Sequence, residues 1–179
     1  MRRLDPTRSV SDADIRRVLE AATKAPTGGN SQPVRWIVVT DQEQRRQLGE
    51  AYRRSAAKLM EGDEDSPLTR SAWYLIDHFG EAPVHIVACT EGENRRPASV
   101  LPAVQNLMLA ARGLGLGTTL TTSHLEDEAP VKRILGIPEN VMTYCIIPMG
   151  YPLGRWGEAP RKPVEEVAYR DRWKNPISF

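Results

Sequence analysis

"APTGGNSQP", Ala25–Pro33, separates an amphipathic run from the apolar run "VRWIVV", Val34–Val39. It spends two glycines, two prolines, a Thr, an Asn, a Ser and a Gln on one corner. A plain helix-to-strand turn needs one Gly or Pro. Nine residues with small and amide side chains suggest a corner built to hold something.

The flanks define the elements it joins. Ser11 is placed as an N-cap, and Ile15, Val18, Leu19 and Ala22 recur at i, i+3, i+4 and i+7, so "SDADIRRVLEAATKA" reads as an amphipathic helix. Pro26, Gly28 and Gly29 end it. "VRWIVVT" reads as a strand, followed by a charged helix from about Asp41 to Met60. "EGDEDSP" reads as a solvated acidic loop. A helix from about Leu68 to Phe79 leads to the strand "PVHIVACT".

After the loop "EGENRRP", the stretch "ASVLPAVQNLMLAARGLGLG" is apolar almost all round, at Val100, Leu101, Val104, Leu107, Met108, Leu109 and Ala111. Such a helix lies in the centre of a domain or in a subunit interface. The strand "TTLTT", a short helix around "PVKRILGI" and the core strand "VMTYCIIPMG" follow. Residues 151–179 have no clear period, and their anchors Trp156, Val164, Val167, Tyr169 and Trp173 point to a segment that wraps over something. About four strands interleaved with about four helices indicate a single domain, residues 1–179, with an α+β or small α/β layer fold and helices packed round one sheet.

The chain has 179 residues and a net charge of +1. That near-neutral balance gives no electrostatic footprint for nucleic acid or a membrane surface. No apolar run approaches the length of a membrane span. The first residues lack the apolar stretch of a secretory signal, so a cytoplasmic location is expected. Cys89 and Cys145 sit inside strand-like apolar runs without a ligand cluster, so no metal site is expected.

"GLGLGTTL", Gly113–Leu120, has glycine spacing like a dinucleotide fingerprint. However, it follows a helix and precedes a strand, which is the wrong order, and it reads as a helix stop. Phosphate-loop, zincin and hydrolase-elbow motifs are absent. His78, His85 and His124 form no triad by spacing, and only His124, at a strand end, is a candidate ligand contact. What remains is a set of polar and basic groups at element ends: Arg2 and Arg3, the corner, Thr121 and Thr122, Arg161 and Lys162. Basic side chains and backbone N–H groups suit a phosphate, while amides and hydroxyls suit the polar edge of a flat heterocycle.

Four segments in order resemble the FMN-dependent nitroreductase family. They are "RRLDPTRSVSDADIRRVLEAATKAPTGGNSQP", "PAVQNLMLAARGLGLGTTLTT", "LGIPENV…IIPMGYP" and "PRKPVEEV", and they span nearly the whole chain apart from residues 50–80. The resemblance implies a mixed, mainly antiparallel sheet flanked by helices and an intertwined homodimer whose C-terminal segment, 151–179, wraps the dimer. It implies FMN at the dimer interface. It also implies a ping-pong reaction in which NADH or NADPH reduces the flavin and a small-molecule electron acceptor, such as a nitroaromatic or quinone, is then reduced. The cofactor carries the chemistry in such a site, which accounts for the missing catalytic dyad.

Residue by residue, the resemblance places Pro26, Thr27 and Gly28 against the flavin, with Asn30 and Gln32 shaping the corner. Thr121, Thr122 and Ser123 match the segment whose backbone approaches the ring. Arg161, assisted by Lys162, matches the basic residue that grips the FMN phosphate. The family's opening signature, basic-Ser-x-basic, is represented only by its second half. Arg2 is similar to its last basic residue, so either the chain as given starts late or phosphate binding leans on Arg2, Arg3 and Arg161. Val34 stands where the family carries Trp, and Trp36 is expected to fill part of that volume. A flavin-binding protein without turnover and a deazaflavin-linked reductase on the same scaffold are the competing expectations.

Overall fold

A computed structural model of the chain describes residues 2–60, 66–91, 97–154 and 157–178. The acidic stretch after Met60, most of the loop after Glu91, and Trp156 lie outside the described residues. Helix α1, Asp12–Thr23, starts at Ser11, whose hydroxyl accepts from the Asp14 amide at 3.1 Å. Strand β1, Val34–Val39, leads to α2, Gln42–Ala57, capped by the Asp41 carboxylate. Helix α3, Pro67–Asp77, is capped by Ser66 with a proline in its first turn. Those caps answer orphan N–H groups that each helix would otherwise leave open.

Strand β2, Val84–Glu91, and helix α4, Pro97–Gly113, follow. The "GLGLG" stretch ends α4 as expected of a stop. Gly115 takes φ 79°, its amide donates to Arg112 O at 3.1 Å, and the Leu116 amide donates to Ala111 O at 2.9 Å. This paired return is the Schellman arrangement, which needs a left-handed residue that glycine supplies without strain. Strand β3 is only Gly117–Thr118; then come α5, Ala129–Leu135, β4, Val141–Gly150, and α6, Val164–Val167.

The strands lie in the order β1-β2-β4-β3, every pairing antiparallel. β2 is buried on both faces along seven of its eight residues, so helices must cover both sides. Val84, Ile86 and Ala88 pack toward α1 and α4, with Val18, Val104 and Leu107. Val87 and Cys89 pack toward α2, α3 and α5, with Leu48, Phe79 and Val131. Both cysteines are free and buried, as their surroundings in the sequence imply.

The strand expected at "TTLTT" is shorter than its composition suggests. Thr118 lies opposite Met149 and Thr121 opposite Ile146, so the register continues through the gap. Thr121 and Ile146 exchange two backbone bonds, 3.1 and 3.0 Å. The next such pair is Thr119 with Pro148, and there only Thr119 donates, at 3.4 Å, because proline has no N–H to return. One missing proton thins the ladder between Thr118 and Thr121, and after the Thr121–Ile146 pair the chain enters a 3-10 turn at Ser123–Asp127.

Candidate functional site

The corner after α1 is a compact, strained turn. A 3-10 turn covers Gly28–Asn30, with φ 58° at Gly29. Two non-glycine residues also take positive φ, Asn30 at 52° and Gln32 at 45°. Each costs of the order of a kcal/mol and persists only where surrounding contacts hold it, a pattern concentrated at binding sites. Those contacts are present. The Gln32 amide donates to Thr27 Oγ1 at 3.1 Å, the Gln32 side chain donates to Asn30 Oδ1 at 3.3 Å, and the Gly28 amide donates to Ser99 Oγ at 3.3 Å.

The corner faces open space. A Cβ placed on Gly28 or Gly29 would meet nothing within 4 Å. Beside it lies a cavity of about 160 Å³ whose walls include Ala25, Thr27, Gln32, Val34, Trp36 and Ala103. Trp36 stands in that wall next to Val34, consistent with a Trp displaced by two positions. Small walls, exposed amides and free space suit a flat ligand.

The Thr121–Ser123 segment is held differently. Thr121 is buried, and its hydroxyl lies 2.8 Å from the Tyr52 hydroxyl on α2. Thr122 is exposed and Ser123 half-buried. His124 is fully buried rather than open to a ligand. Its Nε2 lies 2.9 Å from Thr143 Oγ1, and that hydroxyl gives its single proton to Glu128. His124 therefore donates from Nε2, and its Nδ1 has no partner among the described residues. Burial lowers the His124 pKa to about 4, against the opposing pull of Glu128. Burial raises the Glu128 pKa, but the Thr143 hydrogen bonds, with Lys132 and His124, outweigh it and leave it below the usual value. His85 is likewise pushed to about 4 by burial and donates from Nε2 to Phe79 O at 2.8 Å.

The basic candidates occupy the two terminal segments of the chain. Arg2 and Arg3 sit beyond the Gly150 end of β4, where Leu4 bridges to Pro152 and the Arg3 guanidinium lies 4.6 Å from the centre of the Tyr74 ring. Arg161 and Lys162 are exposed on the C-terminal segment, with Arg161 bonded to its neighbour's carbonyl at 2.8 Å. A larger groove of about 720 Å³ runs along α2, but its arginines are engaged: Arg46 by Glu43 and Glu50, Arg53 by Asp77, Arg45 by the Ala82 carbonyl.

Within one chain the corner and the 121–123 segment lie on different edge regions of the sheet. Ile37, Val87, Ile146 and Thr121 stand in line across the sheet. Three strand spacings, about 14 Å, thus separate Thr121 from β1, on whose edge the corner lies. Sequence reasoning passed over Ser99 and Tyr52, which tie the corner and the 121–123 segment to distant helices. A serine within the apolar α4 run and a tyrosine within the charged α2 run were the only signals available.

Residues 1–151 match the nitroreductase family along most of the chain's length. The chain belongs to the nitroreductase family. An Archaeoglobus fulgidus relative, provisionally named NADH dehydrogenase/NAD(P)H nitroreductase, is 28% identical over 93% of this chain and 89% of its own. A 5,6-dimethylbenzimidazole synthase from Rhodospirillum rubrum is 27% identical over 98% of this chain and 85% of its own. The crystal structure of an oxidized iodotyrosine deiodinase bound to FMN and 3-iodo-L-tyrosine superposes with a TM-score of 0.81 and 26% identity. That match covers 96% of this chain and 93% of the deiodinase. The nitroreductase fold thus hosts several chemistries among the relatives of this chain, and its sheet and flanking helices are those described above.

Proposed function

We propose that this nitroreductase-family chain is an FMN-dependent NAD(P)H oxidoreductase. It acts as a cytoplasmic homodimer and reduces nitroaromatic, quinone or related electrophilic acceptors in a ping-pong order. The observation that carries the reading is the strained corner Pro26–Gln32, held with open space before Gly28. When bound, FMN supplies hydride acceptance from NADH or NADPH and onward electron delivery.

The chain's own residues bind and orient. Pro26, Thr27 and Gly28 leave room for the ring, with Asn30 and Gln32 fixing the corner's shape. Thr122 and Ser123 offer hydroxyl and backbone groups to the ring's polar edge. Arg161, Lys162, Arg2 and Arg3 supply positive charge for the phosphate. Because the corner and the 121–123 segment lie on opposite sheet edges of one chain, a second copy brings one to the other. The face of α4 bearing Leu101 and Leu109, 50% and 59% exposed, supports that dimer. So does a C-terminal segment whose Val164, Val167 and Trp173 are exposed on their own chain, Trp173 at 80%, as residues that wrap a partner would be.

The test is a visible absorption spectrum of the fresh protein, followed by titration with each nicotinamide. A flavin spectrum bleached by NADH or NADPH and restored by a quinone supports the reading; colourless protein that binds no added FMN overturns it. FMN that binds but is reduced by neither donor favours a flavin-binding protein without turnover. Reduction of a bound deazaflavin in place of FMN favours the deazaflavin-linked reductase.

A further inference from the structure

Tyr52 is 3% exposed on α2 and lies in no motif that the family resemblance uses. Its ring stacks on Phe79 at 3.8 Å and 12°. Phe79 in turn lies against His85, with ring centres 4.7 Å apart, and its carbonyl accepts the His85 Nε2 proton. Tyr52 therefore has little freedom to move. Its hydroxyl ends 2.8 Å from Thr121 Oγ1, a contact made across 69 residues.

Thr121 Oγ1 has further partners. The Ser123 amide donates to it at 3.4 Å, and its own proton is directed to Ser123 Oγ at 3.5 Å. Together with the Tyr52 hydroxyl, in a contact where either oxygen can donate, these partners engage the Thr121 side chain on three sides. Three residues on, His124 is pinned by Thr143 and Glu128. The segment is thus fixed at Thr121 and at His124, with the exposed Thr122 between them.

We infer that Tyr52 is a positioning residue. Through the Thr121 hydroxyl it sets the direction of the Ser123 amide and of Thr122, and so the face that this segment presents to the flavin ring. The inference rests on the FMN reading above and adds to it a residue that touches neither flavin nor substrate. The backbone pair between Thr121 and Ile146 fixes the main chain at Thr121, and the Tyr52 contact adds a hold on its side chain.

The experiment uses the purified full chain with FMN, measuring the dissociation constant and the flavin midpoint potential of wild type, Tyr52→Phe, Thr121→Val, the double variant and Thr121→Ser. Tyr52→Phe keeps the ring stack and loses only the hydroxyl. It is expected to weaken FMN binding about fivefold, as loss of one ordinary hydrogen bond does, with a shifted midpoint potential. Thr121→Val, which also removes the Ser123 contacts, should lose at least as much; the double variant should lose no more than Thr121→Val alone, and Thr121→Ser should bind like wild type. A Tyr52→Phe protein with lowered melting temperature but unchanged FMN affinity and potential overturns the inference while leaving the function intact. Additive losses in the double variant also overturn it. Wild-type protein that binds no FMN overturns both.

Discussion

His124 Nε2 sits 2.9 Å from the Thr143 hydroxyl inside the protein, and that hydroxyl is already committed as a donor to Glu128. The ring is therefore neutral and fixed in one tautomer. A charged ring there would place a second N–H proton at Nδ1, a buried atom with no acceptor among the described residues.

A pH dependence of stability follows. Unfolded histidines protonate near 6.5, whereas His85 and His124 hold off until about 4 in the folded chain. Between those values the unfolded chain binds more protons, so stability is complete above pH 6.5 and is lost as pH falls toward 4. Each histidine contributes on the order of 3 kcal/mol to the full loss. Urea midpoints should fall steadily from pH 7 to pH 4.5, and His124→Gln should flatten the slope.

Gly28→Leu should abolish FMN binding with little change in melting temperature. The added side chain enters space that is open in the folded chain, so the substitution blocks a ligand without crowding the protein. Absorbance titration with FMN beside a thermal melt reads both effects.

Arg161→Ala should weaken FMN binding about 10- to 150-fold, the worth of one charge-assisted hydrogen bond to a phosphate. Its only contact described here is with the neighbouring Pro160 carbonyl, so thermal stability should not move. Isothermal titration at two salt concentrations checks the assignment, since the wild type should show the steeper salt dependence.

On the homodimer proposed above, Leu109→Asp should yield monomers. The side chain is exposed on its own chain, so a charge there costs the fold little, yet it would be buried unpaired in a subunit interface. Light scattering after gel filtration gives the mass, and FMN binding should fall with it if both chains build the site.

Gly49→Ala should destabilise the fold by about 1–3 kcal/mol, the usual cost of overpacking. A Cβ at Gly49 would lie 2.8 Å from the backbone N and Cα of Gly80, where α2 crosses the turn after α3. Neither backbone can retreat as a flexible side chain would. Chemical denaturation measures the loss, and Gly80→Ala, which meets Arg45 O at 2.8 Å, should behave alike.

Much of this architecture was legible along the chain. The Ser11 cap, the 3.6-residue period of α1 and the unbroken apolar run of β2 are local signals, and each marked an element that formed. The corner at Ala25–Pro33 was legible for a related reason, because its odd composition sits within nine consecutive residues. By contrast, the bonds between Ser99 and Gly28 and between Tyr52 and Thr121 span 71 and 69 residues and arise from packing. The short β3 depends on which partner Pro148 faces, a matter of strand register that no window of the sequence contains. The distance of Thr121 from β1 was likewise invisible until the sheet order was known.

Pro148 has a consequence for how this scaffold can diversify. Where a β-ladder holds a segment, changing its course means breaking main-chain bonds that every residue type makes alike. Here the ladder is thinned at Pro148 and stops after the Thr121–Ile146 pair, and beyond Thr121 a few side chains hold the path of the chain. Point substitutions can therefore re-aim the segment while the sheet stays whole. That is a route by which one backbone can be adapted to reductase, synthase and deiodinase chemistry.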